Sequence, residues 1–91
     1  MSKIKTTKID DQRESQDVYL HKDGEKGYVG LHSTGYTEAD GSWNRMESWA
    51  NIYGEDKKFQ ASIFRIFGPL EETVEDMEQE GWVVITDWEQ K

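Results

Sequence analysis

Alternating apolar and polar positions dominate the first half of the chain. In DVYLHKDGEKGYVGLHST a turn centred on Gly24 and Glu25 sets Leu20 opposite Val29 and Val18 opposite Leu31. Directly opposed residues share a face of a sheet. One face therefore carries Val18, Leu20, Val29 and Leu31. The other carries Asp17, Tyr19, His21, Tyr28, Gly30 and His32. The clean split between an apolar and a polar-aromatic face supports this hairpin and its register.

GYTEADGSW reads as a loop with a DG turn. WNRMESWANIY fits two periods. Trp43, Met46, Trp49, Ala50 and Tyr53 fall on one helical stripe, with Ser42 as cap and Gly54 as stop. Trp, Ile, Tyr and Asn are mediocre helix formers, however. The strand reading forms a second hairpin with KFQASIFRIF. Turning at Asp56 and Lys57, it pairs Ala50 with Ile63, Ile52 with Ala61 and Met46 with Phe67. It sets Trp49 opposite Phe64, and Tyr53 opposite Gln60, on the reverse face. The strand is preferred.

PLEETVEDMEQEG reads as a helix. Pro69 takes the first helical position, where its missing N–H costs nothing. Glu71 and Glu72 sit where the helix dipole favours negative charge. Gly81 ends the helix in the left-handed region. Leu70, Thr73, Val74 and Met77 share the apolar face. WVVITDWE is the last strand. Residues 1–15 are polar and aperiodic and read as a flexible N-terminal arm, in which Ile4 and Ile9 could add an edge strand. Residues 16–91 form a single domain. The expected class is α+β: an antiparallel sheet of about five strands, in the order ββββαβ, with one acidic helix packed on a face.

Composition fits a small folded domain. Hydrophobic residues make up 34% and the mean hydropathy is −0.94, but four Trp, four Tyr and three Phe supply large buried areas. No cysteine is present, which excludes disulfides and thiolate metal sites. No secretory signal or membrane span is legible, so a cytoplasmic location is expected.

The charge is −8 and unevenly spread. Residues 1–13 carry four basic and two acidic side chains; residues 69–91 carry one basic and eight acidic. A solvated helix face usually mixes signs in pairs four apart, and like charges at that spacing oppose the helix. Glu71, Glu72, Glu75, Asp76, Glu78 and Glu80 have no basic neighbour in the sequence of their helix. Either the acidity serves solubility, or it faces a basic partner.

Catalytic chemistry is not expected. His21 and His32 share a face, but His32 lies opposite Asp17, four residues from His21, or ~13 Å along the strand. One metal or one dyad cannot bridge that span, and His32 with Asp17 reads as a cross-strand surface pair. KGYVGLH echoes the base-stacking strand of RNA-recognition motifs, but Gly30 stands where an aromatic is required. The net charge also opposes direct nucleic-acid binding. No catalytic residue, metal or cofactor is assigned.

Trp49, Tyr53, Phe64 and Ile66 fall on one sheet face in this register, which suggests a homodimer interface if the helix covers the other face. The acidic residues suggest a nucleic-acid mimic. Carboxylates three and four apart on a helix lie ~5–6 Å apart at Cβ, comparable with phosphates along a strand. Glu71, Glu72, Glu75, Asp76, Glu78 and Glu80 would form one row, extended by Asp87 and Glu89. Glu38, Asp40, Glu55 and Asp56 would supply a second from loops. In size, charge, absent cysteine and aromatic content the chain resembles the small acidic DNA-mimic inhibitors that many bacteriophages encode. That resemblance implies a protein of host takeover, acting in the bacterial cytoplasm. It would bind a basic DNA-binding protein, for example a nucleoid protein such as HU, and block its DNA binding. The alternative is a sheet-based interaction or homodimerisation module that uses the aromatic face, with acidity only for solubility.

Overall fold

A computed structural model describes residues 4–11 and 13–88, without the side chains of residues 43, 45 and 46. The elements are β1 (Lys5–Lys8), β2 (Glu14–His21), β3 (Tyr28–Thr37), β4 (Trp43–Tyr53), β5 (Phe59–Arg65), α1 (Leu70–Gln79) and β6 (Val83–Ile85). The sheet runs β1-β2-β3-β4-β5 with every neighbour antiparallel, and β6 also pairs with β2. The chain is α+β, as the alternation implies. β1 takes residues 14–17 of β2 and β6 takes residues 19–21, so the two short strands share one edge of β2.

The expected arm is partly strand. β1 lies within residues 1–15, and β2 begins at Glu14. Ile4 enters the core at 8% exposure, which anchors an otherwise exposed polar strand.

Val18 pairs with Leu31 and Leu20 with Val29, as the turn residues dictate. Gly24 supplies the positive φ of that turn, 91°. β4 is a strand throughout, paired with β3 on one side and β5 on the other. Ladders on both sides outweigh its helical stripe. The β4–β5 register departs from the expected one. Ile52 does face Ala61, but Ala50 faces Phe64, Trp49 faces Arg65 and Tyr53 faces Phe59. β5 also ends at Arg65, before a Met46–Phe67 pair. Two irregularities, at Ala50/Asn51 and Ile52/Tyr53, cause the shift. A bulge adds one residue to one strand and moves everything beyond it to the other face.

α1 lies across β3 and β6. Its Leu70 and Val74 are buried with Ile4, Val18, Leu20, Leu31, Ala50 and Ile66, and Val29, Met77, Trp82 and Val84 pack around them. Pro69 is the N-cap residue rather than the first helical one, with an extended backbone at ψ 146°. The C-terminus closes in a Schellman arrangement: Trp82 N–H donates to Met77 O and Gly81 N–H to Glu78 O, with Gly81 at φ 100°. Among the described residues no helix is long and apolar enough to cross a membrane.

Candidate functional site: an acidic helix and a closed aromatic face

The face of the sheet away from α1 is built in rows across the strands. One row is Asp17, His32, Trp49 and Arg65; the next is Tyr19, Gly30, Asn51 and Ser62; the third holds Tyr28, Tyr53 and Phe59. His32 bridges the first and third rows. Its Nδ1 lies 2.6 Å from Asp17 Oδ1 and its Nε2 lies 2.8 Å from the Tyr53 hydroxyl. With the proton on Nδ1, toward the carboxylate, Nε2 accepts from the Tyr53 O–H. In the orientation that satisfies both ends of its amide, Asn51 donates to Ser62 Oγ at 2.8 Å and accepts from Trp49 Nε1 at 3.3 Å.

Asp17 and His32 are thus not a surface pair. His32 is 7% exposed and Tyr53 3%. The order carboxylate, imidazole, hydroxyl is one that catalysis uses, but general acid–base chemistry needs hydrogen-bond reach to a substrate. Here the terminal hydroxyl is buried, so the network orients side chains. His21 belongs to a different contact: its Nε2 lies 3.0 Å from Glu25 O. Among the described residues no group of three or more His, Cys, Asp or Glu could hold a metal ion.

Burial, then the neighbouring Tyr53 and Asp17, hold the Tyr19 phenol protonated well above its ordinary value of 10.0. An unfolded tyrosine ionises near 10 while the folded one keeps its proton. Stability is therefore full below that pH and falls as pH rises above it. Ultraviolet titration should show tyrosine ionisation continuing well above pH 10, together with unfolding.

The cover of this face comes from beyond β6. The Trp88 ring stacks on Tyr19 with centroids 4.1 Å apart and planes within 1°. It meets Tyr28 and Tyr53 edge-on at 5.1 and 5.3 Å. The Lys57 ammonium lies 5.3 Å from the Trp88 ring and 5.8 Å from the Tyr28 ring. Lys57 is held there by a left-handed backbone, φ 65°. Gly30 makes the close packing possible. A Cβ there would lie 2.6 Å from Tyr53 Cε2, 2.8 Å from His32 Nε2 and 3.0 Å from Tyr19 Cε1. Tyr53 and His32 are fixed by their mutual hydrogen bond and cannot swing aside. Gly30→Ala should therefore lower stability by about 1–2 kcal/mol despite the usual preference for alanine in a strand, read as a lower urea midpoint.

This arrangement corrects the expected dimer face. Trp49 and Tyr53 do share a face, but Tyr53 is buried beneath Trp88. Ile66 is in the core beside α1, and Phe64 pairs with Ala50 of the core-side row. The four residues do not form one open patch. The cause is the shifted β4–β5 register.

The acidic residues divide differently. On α1, Glu71, Glu72, Glu75, Asp76 and Glu80 are exposed and Glu78 is half-buried. Glu71, Glu75 and Glu78 follow one line of the helix, and Glu72 and Asp76 a second beside it. Asp87 is exposed, close along the chain to the Trp88 cover; Glu89 lies outside the described residues. The loop carboxylates do not make a second row. Glu38 and Asp40 sit at one end of β4 and Glu55 and Asp56 at the other, separated by 11 residues of strand, ~36 Å. Glu38 accepts a hydrogen bond from Asn44. Asp40 accepts from the Ser42 hydroxyl at 2.6 Å and backbone N–H at 2.9 Å, which lowers its pKa below the ordinary 3.8. Asp56 accepts from the Lys58 N–H at 3.0 Å. These three shape their turns.

Sequence reasoning missed Trp88, Lys57 and Gly30 as parts of one cluster. The available signal was Gly30 itself, a residue without a side chain at the centre of an aromatic face. No family model, no curated protein and no solved structure matches the chain.

Proposed function

We propose that this protein is a DNA mimic: its α1 helix docks on the DNA-binding surface of a basic protein and blocks DNA there. The observation that carries this reading is the solvent face of α1. Five exposed carboxylates and a sixth half-buried one crowd into a segment of ~15 Å. Between Arg65 and Lys91 the sequence itself supplies no basic residue. Such a face costs the helix a few tenths of a kcal/mol per like-charged pair, a cost that a basic partner offsets on binding. A nucleoid protein such as HU is a fitting target, because proteins of that kind read backbone charge and shape more than bases. With the loop carboxylates dispersed, α1 alone is the site. The site needs no metal or cofactor, and the network around His32 is not part of it.

The test is capture from nuclease-treated bacterial lysate at low salt, with elution by rising salt. The expected result is a basic DNA-binding protein, released at moderate ionic strength and displaced by added duplex DNA. A partner that survives high salt and ignores duplex DNA would overturn the proposal.

A further inference from the structure

We infer that the free edge of β5 accepts an extended, acidic strand from another protein, added to the sheet as a further strand. β5 ends the strand order, so its outer row of N–H and C=O groups is unpaired by the sheet. Every residue of β5 is exposed. Its apolar side chains are unusually open: Phe59 at 57%, Ile63 at 40% and Phe64 at 54%, with Phe67 just beyond at 89%. Trp49, Ser62, Ile63, Phe64, Glu47 and Arg65 line a shallow groove of about 440 Å³ along it. Alternate side chains of an added strand would fall into such a groove while its backbone pairs with the edge.

Charge selects the occupant. Between Asp56 and Glu71 the chain carries Lys57, Lys58 and Arg65 and no carboxylate, in a protein of net charge −8. Lys57 is committed to the aromatic cover, which leaves Lys58 and Arg65 to flank the edge. Arg65 reaches Glu47 at 3.5 Å, but both side chains are more than half exposed, so that pair is weak. A second copy would bring the same two cations to the seam, whereas an acidic strand meets them with opposite charge. A nucleic acid would leave the edge N–H and C=O groups unpaired, whereas a polypeptide strand pairs them. The inference is independent of the α1 reading: the two surfaces have opposite charge and opposite partners.

The probe is a nine-residue peptide alternating glutamate and valine, with the same peptide carrying lysine for glutamate as control. Titration followed in amide NMR spectra should shift and protect the amides of residues 59–65 and leave those of α1 unmoved. Lys58→Glu combined with Arg65→Glu, both at exposed positions, should weaken binding about ten-fold or more while the remaining amide spectrum stays native. Equal binding of the lysine peptide, or shifts at β1 instead of β5, would overturn the inference. So would concentration-dependent dimerisation through β5 in sedimentation, or tighter binding of single-stranded oligothymidine at the same amides.

Discussion

Trp88→Ala should lower the stability of this protein by about 2–3 kcal/mol. Removing a fully buried Trp usually costs more, but Trp88 is only half-buried, and its Nε1 is buried without a hydrogen-bond partner. Losing that nitrogen removes an unfavourable group. What remains is the loss of the stack on Tyr19, the edge contacts to Tyr28 and Tyr53, and the Lys57 ammonium over the ring. In a domain of this size the expected fall in Tm is roughly 10–20 °C. The same change exposes Tyr19, Tyr28 and Tyr53 as one apolar surface, so the variant should also self-associate at high concentration. Calorimetry and sedimentation check the two effects. An unchanged Tm would mean that the segment after β6 does not rest on the sheet.

The second large effect concerns binding. Glu72→Lys, Glu75→Lys and Asp76→Lys together change the charge of α1 by six units, from sites that are all exposed. Leu70 and Val74, which hold the helix to the sheet, are untouched. The fold should survive, with an unchanged far-ultraviolet circular dichroism spectrum and a Tm within a few degrees of wild type. Binding to a basic partner should fall below detection, since each of three attractive contacts becomes a repulsive one. A folded triple variant that binds as well as wild type would remove α1 as the site.

The legible parts of this fold are those where local chemistry and burial agree. The Gly24 turn and the opposed pairs Val18–Leu31 and Leu20–Val29 fix the β2–β3 register, because a slip of one residue would bury Asp17 and His32 against α1. Pro69 and Gly81 bracket α1 for backbone reasons that no tertiary contact needs to supply. The illegible parts are nonlocal. The two register shifts between β4 and β5 leave no mark in KFQASIFRIF, yet they separate Phe64 and Ile66 from Trp49 and Tyr53. WVVITDWE reads as one strand, but pairing with β2 stops at Ile85, and Trp88 instead crosses to the face that Gly30 leaves open. Ile4 gave only a faint signal. Of the two isoleucines in that polar segment only Ile4 reaches the core, where β1 fills the edge of β2 next to β6.

For the candidate site the same division holds. The carboxylates of α1 follow from helical spacing alone, so their row was visible. The loop carboxylates are not legible in this way, because composition says nothing about the length of β4 between them. The buried link from Asp17 through His32 to Tyr53 spans three strands, and only the Asp17–His32 part lies within one hairpin.

If α1 takes the place of DNA on a basic protein, it must compete with duplex for that surface. The most direct measurement is competition: fluorescently labelled duplex is bound to an HU-type nucleoid protein, and this protein is titrated in at low and at physiological salt. The expected result is full release of the duplex at a fixed stoichiometry, with an affinity that falls steeply as salt rises. A duplex that stays bound while this protein joins it in a ternary complex, or an affinity indifferent to salt, would show that α1 does not take the place of DNA.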